Sequence, residues 1–281
     1  MSIIGIVGNG FVGNSIATGM FGFVDDVKIY DIDTARSTST LKETVNESDI
    51  VFLSVPTPMR DVLGGEIDLS ILHNALQNIS DSLDKNNPVI VIKSTIVPGT
   101  MEKLQEKFSN LRLVFSPEFL TERYARLDFI NSARIVLGGK DQDIEVVEKI
   151  MRPRFPGARF IKTDFATAQL IKYMANCFFA VKVSFMNEMK QTCEAAGANW
   201  DDAIAGFISD GRIGNSHIAV PGHDGSLGFG GKCFPKDLNA MIYRCLELGV
   251  EPTVMRAAWD KNLEVRKNLD WADIVGAVSD K

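Results

Sequence analysis

Short continuous apolar runs alternate with amphipathic stretches through the first half of the chain. Ile3–Val7, Val27–Asp31, Ile50–Ser54, Val89–Lys93, Arg112–Phe115 and Arg134–Leu137 read as strands, with Phe11–Gly22, Leu69–Leu83 and Thr100–Phe108 as helices between them. Runs of Val, Ile and Leu without alternation belong to strands covered on both faces, and regular strand–helix alternation predicts a parallel sheet. Beyond about Phe160 the texture changes. Asp164 is placed to cap a long helix reaching about Ala196, apolar and aromatic nearly all round, the character of a helix buried between neighbours or at a subunit interface. Trp200–Ile208, Asp237–Leu248 and Pro252–Asn268 read as further helices. The pattern predicts an α/β fold: a doubly wound parallel sheet over residues 1–163, an all-helical domain over 164–270, and a short tail over 271–281.

Composition narrows the class without naming a function. The 281 residues are 45% hydrophobic and 23% charged, as in soluble globular proteins. A formal net charge of -6 argues against nucleic acid or an anionic membrane as partner, but not against a small anionic ligand held by local donors. Cys177, Cys193, Cys233 and Cys245 have no C-x-x-C spacing, and His73, His217 and His223 form no ligand set, so reduced thiols and no metal site are expected. The N-terminus reads as a first strand rather than a signal peptide, and no apolar run approaches membrane-spanning length. A cytoplasmic protein is expected.

Gly8-Asn9-Gly10-Phe11-Val12-Gly13 follows the first predicted strand and opens the first predicted helix. In that position the glycines permit a tight turn, close approach of a pyrophosphate and close helix–strand packing. The helix N-terminus then faces the phosphates. Asp31, ending the second strand, is spaced to accept hydrogen bonds from a ribose 2′-OH, and its charge favours NAD over NADP. The sheet is therefore expected to be Rossmann-like. Two loops follow later strand ends, Ser54-Val55-Pro56-Thr57-Pro58 and Lys93-Ser94-Thr95-Ile96-Val97-Pro98-Gly99-Thr100. Spacing alone lets these line the cofactor cleft or serve as rigid turns.

The most chemically loaded stretch is Gly228-Phe229-Gly230-Gly231-Lys232-Cys233-Phe234-Pro235-Lys236-Asp237. A glycine-rich loop delivers one cysteine to the expected start of a helix, which Pro235 is placed to open. The orphan N–H groups there, with Lys232 and Lys236 flanking the thiol, favour the nucleophilic thiolate. Asp237 lies four residues on, sharing a helix face with Cys233. A buried cysteine beside a turn is the plain alternative. The same four-residue spacing joins Glu118 to Glu122 after a strand end, and Lys172 to Asn176 on the long apolar helix. Lys172 and Asn176 need partners or a wet cavity there, unless the lysine snorkels and the asparagine only packs.

Together these residues resemble the UDP-glucose/GDP-mannose dehydrogenase family. Gly8–Gly13, Val55–Pro58, Ser94–Thr100, Ser116–Glu122, Leu170–Asn187, Gly211–Gly214 and Gly228–Asp237 carry the likeness, in order, to about Arg266. Phe229 and Phe234 frame the cysteine loop as in the members acting on UDP-glucose. The resemblance implies two successive NAD-dependent oxidations of a sugar nucleotide's primary alcohol to a carboxylate. Gly8, Gly10, Phe11, Val12, Gly13, Asp31, Val55, Pro56, Thr57, Ser94, Thr95 and Glu122 would bind NAD. Cys233, Lys172, Asn176, Asp237, Glu118, Glu122 and Thr95 would be catalytic, either Glu118 or Glu122 helping hydrolysis. Phe119, Leu120, Lys172, Asn176, Arg212, Phe229 and Gly230 would meet the substrate, Arg212 from a neighbouring subunit. A homodimer or larger assembly of dimers is implied. Family members normally continue into a third, nucleotide-sugar-binding domain, expected to be absent from this chain. Val220–Gly225, just before the cysteine loop, departs from the family's pattern. A non-catalytic NAD-binding subunit and a two-electron β-hydroxyacid-type dehydrogenase are the competing readings, and Cys233 with the Glu118/Glu122 pair weighs against the second.

Overall fold

The computed structural model describes residues 2–84 and 86–279. The chain forms two compact units, the first ending at Thr57 and resuming over Leu69–Lys172, the second comprising Pro58–Asp68 and everything from Tyr173 onward.

The first unit is built on a seven-stranded sheet of order β2-β1-β3-β4-β5-β6-β7. β1 (Ile3–Val7), β2 (Asp26–Tyr30), β3 (Ile50–Leu53), β4 (Val89–Ile92) and β5 (Arg112–Phe115) are mutually parallel. β3 and β4 are buried at every position, as their unbroken apolar sequences require. Ile4, Ile6, Ile50, Phe52, Val89, Val91 and Val114 form one face of the core with Ile16, Ala17 and Met20 of the helix Phe11–Met20. The expectation of a wholly parallel sheet needs one correction. β6 (Arg134–Gly139) runs antiparallel to β5, and β7 (Arg159–Thr163) is parallel to β6. The connection after β5 holds the single turn Glu122–Tyr124 and the short helix Ala125–Ile130, and the pairing of β5 with β6 is confined to Val114 and Phe115 against Gly139 and Gly138.

Because β1 lies between β2 and β3, the chain reverses its winding there, and ligands of open α/β sheets bind outside the carboxyl ends at that point. Gly13 lets the first helix settle onto its strand: a Cβ there would collide with the carbonyl oxygen of Gly8 and lie 3.0 Å from Ile6.

The long helix spans Phe165–Ala195, and Asp164 caps it by accepting from the Thr167 N–H at 2.7 Å. Its first eight residues belong to the first unit and the rest to the second. The second unit adds helices Trp200–Ile208, Phe234–Glu247 and Thr253–Val265. Its remaining β pairing among the described residues is two isolated bridges from Met59, to Ile67 and to Val278. Trp271, fully buried, donates its indole N–H to the Val62 carbonyl at 2.8 Å.

Gly10 and Gly13 separate packing from turn conformation, since Gly10 has φ -72° and a Cβ placed there would meet no atom within 4 Å. Gly13→Ala is expected to destabilise the protein by about 2 kcal/mol or more through overpacking. Gly10→Ala should stay within about 0.5 kcal/mol of wild type. Thermal and urea denaturation of the two variants measure the contrast.

Candidate active site

At the end of β1 the chain turns through Gly8 at φ +91°, and a Cβ there would lie 2.6 Å from the Ser54 carbonyl oxygen. Only glycine meets both demands. Gly10 caps the following helix with no side-chain hydrogen bond, so the leading amides of Phe11, Val12 and Gly13 face an acceptor site. Asp31, one residue past β2, accepts from the Asn9 N–H at 2.5 Å and the Asp33 N–H at 2.9 Å. It thus acts as the turn former and ties the glycine turn to β2, while its oxygens keep lone pairs for a ribose hydroxyl. These residues fit a dinucleotide.

The loops after β3 and β4 are bound to each other. Ser94 Oγ accepts from the Val55 N–H at 3.1 Å and donates to the Val55 carbonyl at 2.6 Å. Thr57 Oγ1 donates to the Thr95 carbonyl at 2.8 Å. Pro56 is exposed. The hydroxyls of Ser94 and Thr57 therefore brace the two loops, the rigid-turn role that spacing leaves open.

Glu118 and Lys172 form a buried ion pair in the first unit, 8% and 2% exposed. Lys172 Nζ donates to the Glu118 carboxylate at 3.0 Å and to its carbonyl at 2.7 Å. Glu118 also accepts from the Leu120 N–H at 2.6 Å. Two cations approach the Phe119 ring, the Arg134 guanidinium 4.2 Å and Lys172 Nζ 5.6 Å from its centre. Glu122 opens an exposed single turn, Glu122–Tyr124. Residues 116–121 are not helical, so the four-residue spacing places Glu118 and Glu122 on no common face.

Lys93 is a buried cation in this cluster that no sequence pattern announces. Its Nζ donates to Ser116 Oγ at 3.1 Å and to the Pro117 carbonyl at 3.3 Å. It lines a cavity of about 450 Å3 with Val12, Glu118, Phe119 and Leu120. Burial pushes its ammonium down from the usual 10.5 to about 8; Glu118 pulls it back up and Lys172 lowers it further.

The second unit holds the cysteine. Cys233 is the N-cap of helix Phe234–Glu247, with Pro235 in its first turn, and is half-buried, whereas Cys177, Cys193 and Cys245 are buried. The helix starts three residues earlier than expected, and Asp237 donates its N–H to the Cys233 carbonyl at 2.8 Å. Asp237 is 1% exposed; its carboxylate accepts from Asn176 Nδ2 at 2.5 Å and pairs with Lys236. Lys236, expected beside the thiol, instead neutralises Asp237, and Lys232 donates to the Val275 carbonyl at 3.1 Å. Tyr173 is buried with no hydrogen-bond partner for its hydroxyl, and burial followed by the Asp237 charge raises its pKa. The same two causes push the Cys177 thiol up. Phe229 is 4% exposed, packed near Phe234 and Trp259. Gly230 passes so close to Arg266 and Asp270 that a Cβ would strike both. Arg212 is exposed and hydrogen-bonded to Asp210 at 2.9 Å.

Two family models match this chain. The UDP-glucose/GDP-mannose dehydrogenase family's NAD binding domain matches residues 34–154, and the same family's central domain matches residues 166–264. The chain belongs to this family. The UDP-glucose 6-dehydrogenase of Rickettsia conorii is 31% identical over 241 residues, covering 84% of this chain and 54% of the relative. That of Rhizobium meliloti is 35% identical over 241 residues, covering 82% and 50%. The chain thus spans about half the length of the curated relatives it matches. A UDP-glucose dehydrogenase structure from Pyrobaculum islandicum superposes with TM-score 0.82 and 25% identity, over 94% of this chain and 68% of that one. A 3-hydroxyisobutyrate dehydrogenase of Mycobacterium tuberculosis shares the fold, TM-score 0.75 at 16% identity, over 94% and 93%. The first unit is accordingly the family's NAD-binding Rossmann-like domain. No described helix is long and apolar enough to cross a membrane.

Lys93 sets a pH test. With its folded-state value depressed, the folded protein binds fewer protons than the unfolded chain between about 8 and 10.5, so stability rises with pH across that window. Below 8 both states are protonated and the burial penalty acts in full. Urea unfolding of wild type and Lys93→Met at pH 7 and pH 10 should show wild type gaining on the variant by as much as about 3 kcal/mol. A pH-independent difference would mean that Lys93 titrates as an exposed lysine.

Proposed function

We propose that this protein oxidises the primary alcohol of a sugar nucleotide to the carboxylate in two NAD-dependent steps, with UDP-glucose the first substrate to try. The observation that carries the reading is a half-buried Cys233 at a helix N-terminus, one turn from a buried Asp237 that Asn176 and Lys236 hold in place. A two-electron dehydrogenase needs no such thiol. The glycine turn and Asp31 would hold NAD, which would supply the hydride acceptor for each oxidation. Asp237, with Lys172, directs a water to take the proton from the C6 hydroxyl in the first. Lys172 and Asn176 stabilise the negative charge that builds on that oxygen. Cys233 Sγ then adds to the aldehyde carbon, and the thiohemiacetal loses its hydride to become a thioester. Glu118 is favoured over Glu122 for positioning the hydrolytic water with Thr95, because its carboxylate is buried on Lys172 while Glu122 is exposed. Water adds to the thioester carbon and the C–S bond breaks, so that the acid departs and Cys233 is returned as its thiol.

A homodimer also belongs to this reading. Met174, Phe178 and Phe185 are 63%, 63% and 49% exposed along the long helix, at spacings that keep them on one side. An apolar stripe on a long helix fits the same stripe of a second copy, and Arg212 would then serve the partner's substrate. A cytoplasmic location fits the reduced thiols.

The test is NADH counted per acid formed from UDP-glucose, with GDP-mannose and UDP-N-acetyl sugars alongside. Two NADH per acid in wild type, with acid formation abolished and NAD binding kept in Cys233→Ser, is the expected result. One NADH per product would favour the two-electron reading. No NADH with any sugar nucleotide, despite NAD binding, would favour a non-catalytic subunit. Light scattering at micromolar concentration should return twice the chain mass or a multiple of it.

A further inference from the structure

Residues 228–231, just before Cys233, lie in no strand or helix, and three side chains from outside them hold their backbone. Asn187 Oδ1 accepts from the Gly228 N–H at 3.1 Å, and Asn262 Oδ1 accepts from the Phe229 N–H at 2.7 Å. Asp270 Oδ2 accepts from the Gly231 N–H at 3.0 Å. Asn262 also returns a hydrogen bond to the Phe229 carbonyl at 3.0 Å. Asn187 and Asn262 are 3% and 0% exposed, so their amides have no water to turn to.

Arg266, 3% exposed, locks the third of these holders. Its Nη2 donates to Asp270 Oδ1 at 2.9 Å and to Asp224 Oδ2 at 2.8 Å. The same guanidinium donates to the carbonyls of Asn268 at 3.0 Å and Leu227 at 3.3 Å. One cation therefore joins Asp270, which grips the cysteine loop, to Asp224, in the segment just before that loop. Burial works against the Asp224 carboxylate, but the hydrogen bonds from Arg266 and Ser226 hold it below the usual range. The glycines fit the clamp: a Cβ at Gly228 would strike Asn262, and one at Gly230 would strike Arg266 and Asp270. Gly228 at φ +70° and Gly231 at φ +72° also favour glycine by conformation, whereas at Gly230 the absent side chain makes room for the clamp.

We propose that Arg266 and Asp270 are positioning residues for Cys233, and that Arg266 couples the segment around Asp224 to the thiol. The proposal rests on Cys233 being the nucleophile, but the clamp is read out without any substrate. Neither residue touches the reacting atoms; each acts through the backbone of residues 228–231. The linkage to Asp224 gives the departing Val220–Gly225 segment a role, since whatever displaces Asp224 loosens the guanidinium that holds Asp270.

The test is the rate of Cys233 alkylation by iodoacetamide at pH 7, with the modified residue located by mass spectrometry, in Asp270→Asn, Asp270→Glu and Asp224→Asn. Removing a negative charge near the loop would by itself favour the thiolate and speed alkylation. Loss of positioning slows it, so the sign separates the two effects. Asp270→Asn is expected to slow alkylation by about tenfold and to lower kcat on the active sugar nucleotide similarly with KM unchanged, a misplacement effect. Asp270→Glu should recover most of both, and Asp224→Asn should slow alkylation two- to threefold. Asp224→Asn lies in the outer loop and keeps the test readable if the Asp270 variant fails to fold. Alkylation in both asparagine variants that matches or exceeds wild type, with unchanged circular dichroism, overturns the proposal. Absence of dehydrogenase activity in wild type would sink the catalytic reading and leave the alkylation result to decide the clamp.

Discussion

A carboxylate taken out of water must find donors, and Asp237, at 1% exposure, dictates its neighbourhood for that reason. Lys236 and Asn176 meet it, one supplying opposite charge and the other a neutral donor. The first unit repeats the logic with Glu118, which takes Lys172 and the Leu120 N–H. Breaking either pair from one side would strand a buried charge, at a cost of about 3–5 kcal/mol. Such pairs contribute little net stability against an apolar alternative. What they do is fix where oxygen and nitrogen atoms sit, and acid–base chemistry needs that fixing more than it needs stability. Lys93 is the exception that strains the arrangement: it adds a second buried cation beside one carboxylate, and burial answers by weakening its hold on a proton.

Close backbone approach is the second constraint, and glycine serves it differently in the two units. At the end of β1, Gly8 and Gly13 bring strand, turn and helix together so that free amides face outward at the sheet's switch point. In the cysteine loop, Gly228 and Gly230 make room for side chains that arrive from elsewhere. The first arrangement exposes donors to a ligand; the second consumes them internally. Gly-rich segments of similar appearance thus have opposite consequences for binding.

That difference explains what can be read from the sequence. β1 to β6 lie close to their predicted places because unbroken Val, Ile and Leu runs have few other uses, and the glycine turn follows from its position between strand and helix. The edge strand β7, Arg159–Thr163, mixes charged and apolar residues and gives no such signal. The helix Asp141–Met151 is missing from the sequence expectations although its buried Ile144, Val147 and Ile150 keep helical spacing. The antiparallel turn of β6 is a property of a connection, which periodicity does not record. Cys233, Asp237, Lys172 and Asn176 are legible by residue type and spacing. Their partners are not, because Lys236 looks like a companion of the thiol, and Lys93 looks like the end of a strand. Asn187, Asn262 and Asp270 stand 33 to 41 residues from the amides they hold, and no local pattern announces a contact of that range.

On the proposed reading, Cys233 stands where the glycine loop passes into a helix, and that setting bears on its chemistry. A thiol that forms and releases a covalent intermediate must meet a carbon whose geometry changes from planar to tetrahedral and back. A residue inside a helix is fixed along its whole turn by the ladder, whereas one at the N-cap is tied on one side only, its carbonyl already accepting the first helical bond. Cys233 occupies that position, with φ -97° and ψ -58° and its carbonyl bonded to the Asp237 N–H. The helical side is therefore rigid, and any freedom lies on the glycine side. Three amides on that side are held by side chains rather than by a ladder, so the tolerance of the site is set by how firmly two asparagines and one aspartate grip. Side-chain acceptors can be displaced one at a time; a ladder opens cooperatively or not at all. Between the two kinds of support, the proposed nucleophile has a fixed distance to Asp237 along the helix and an adjustable approach along the loop.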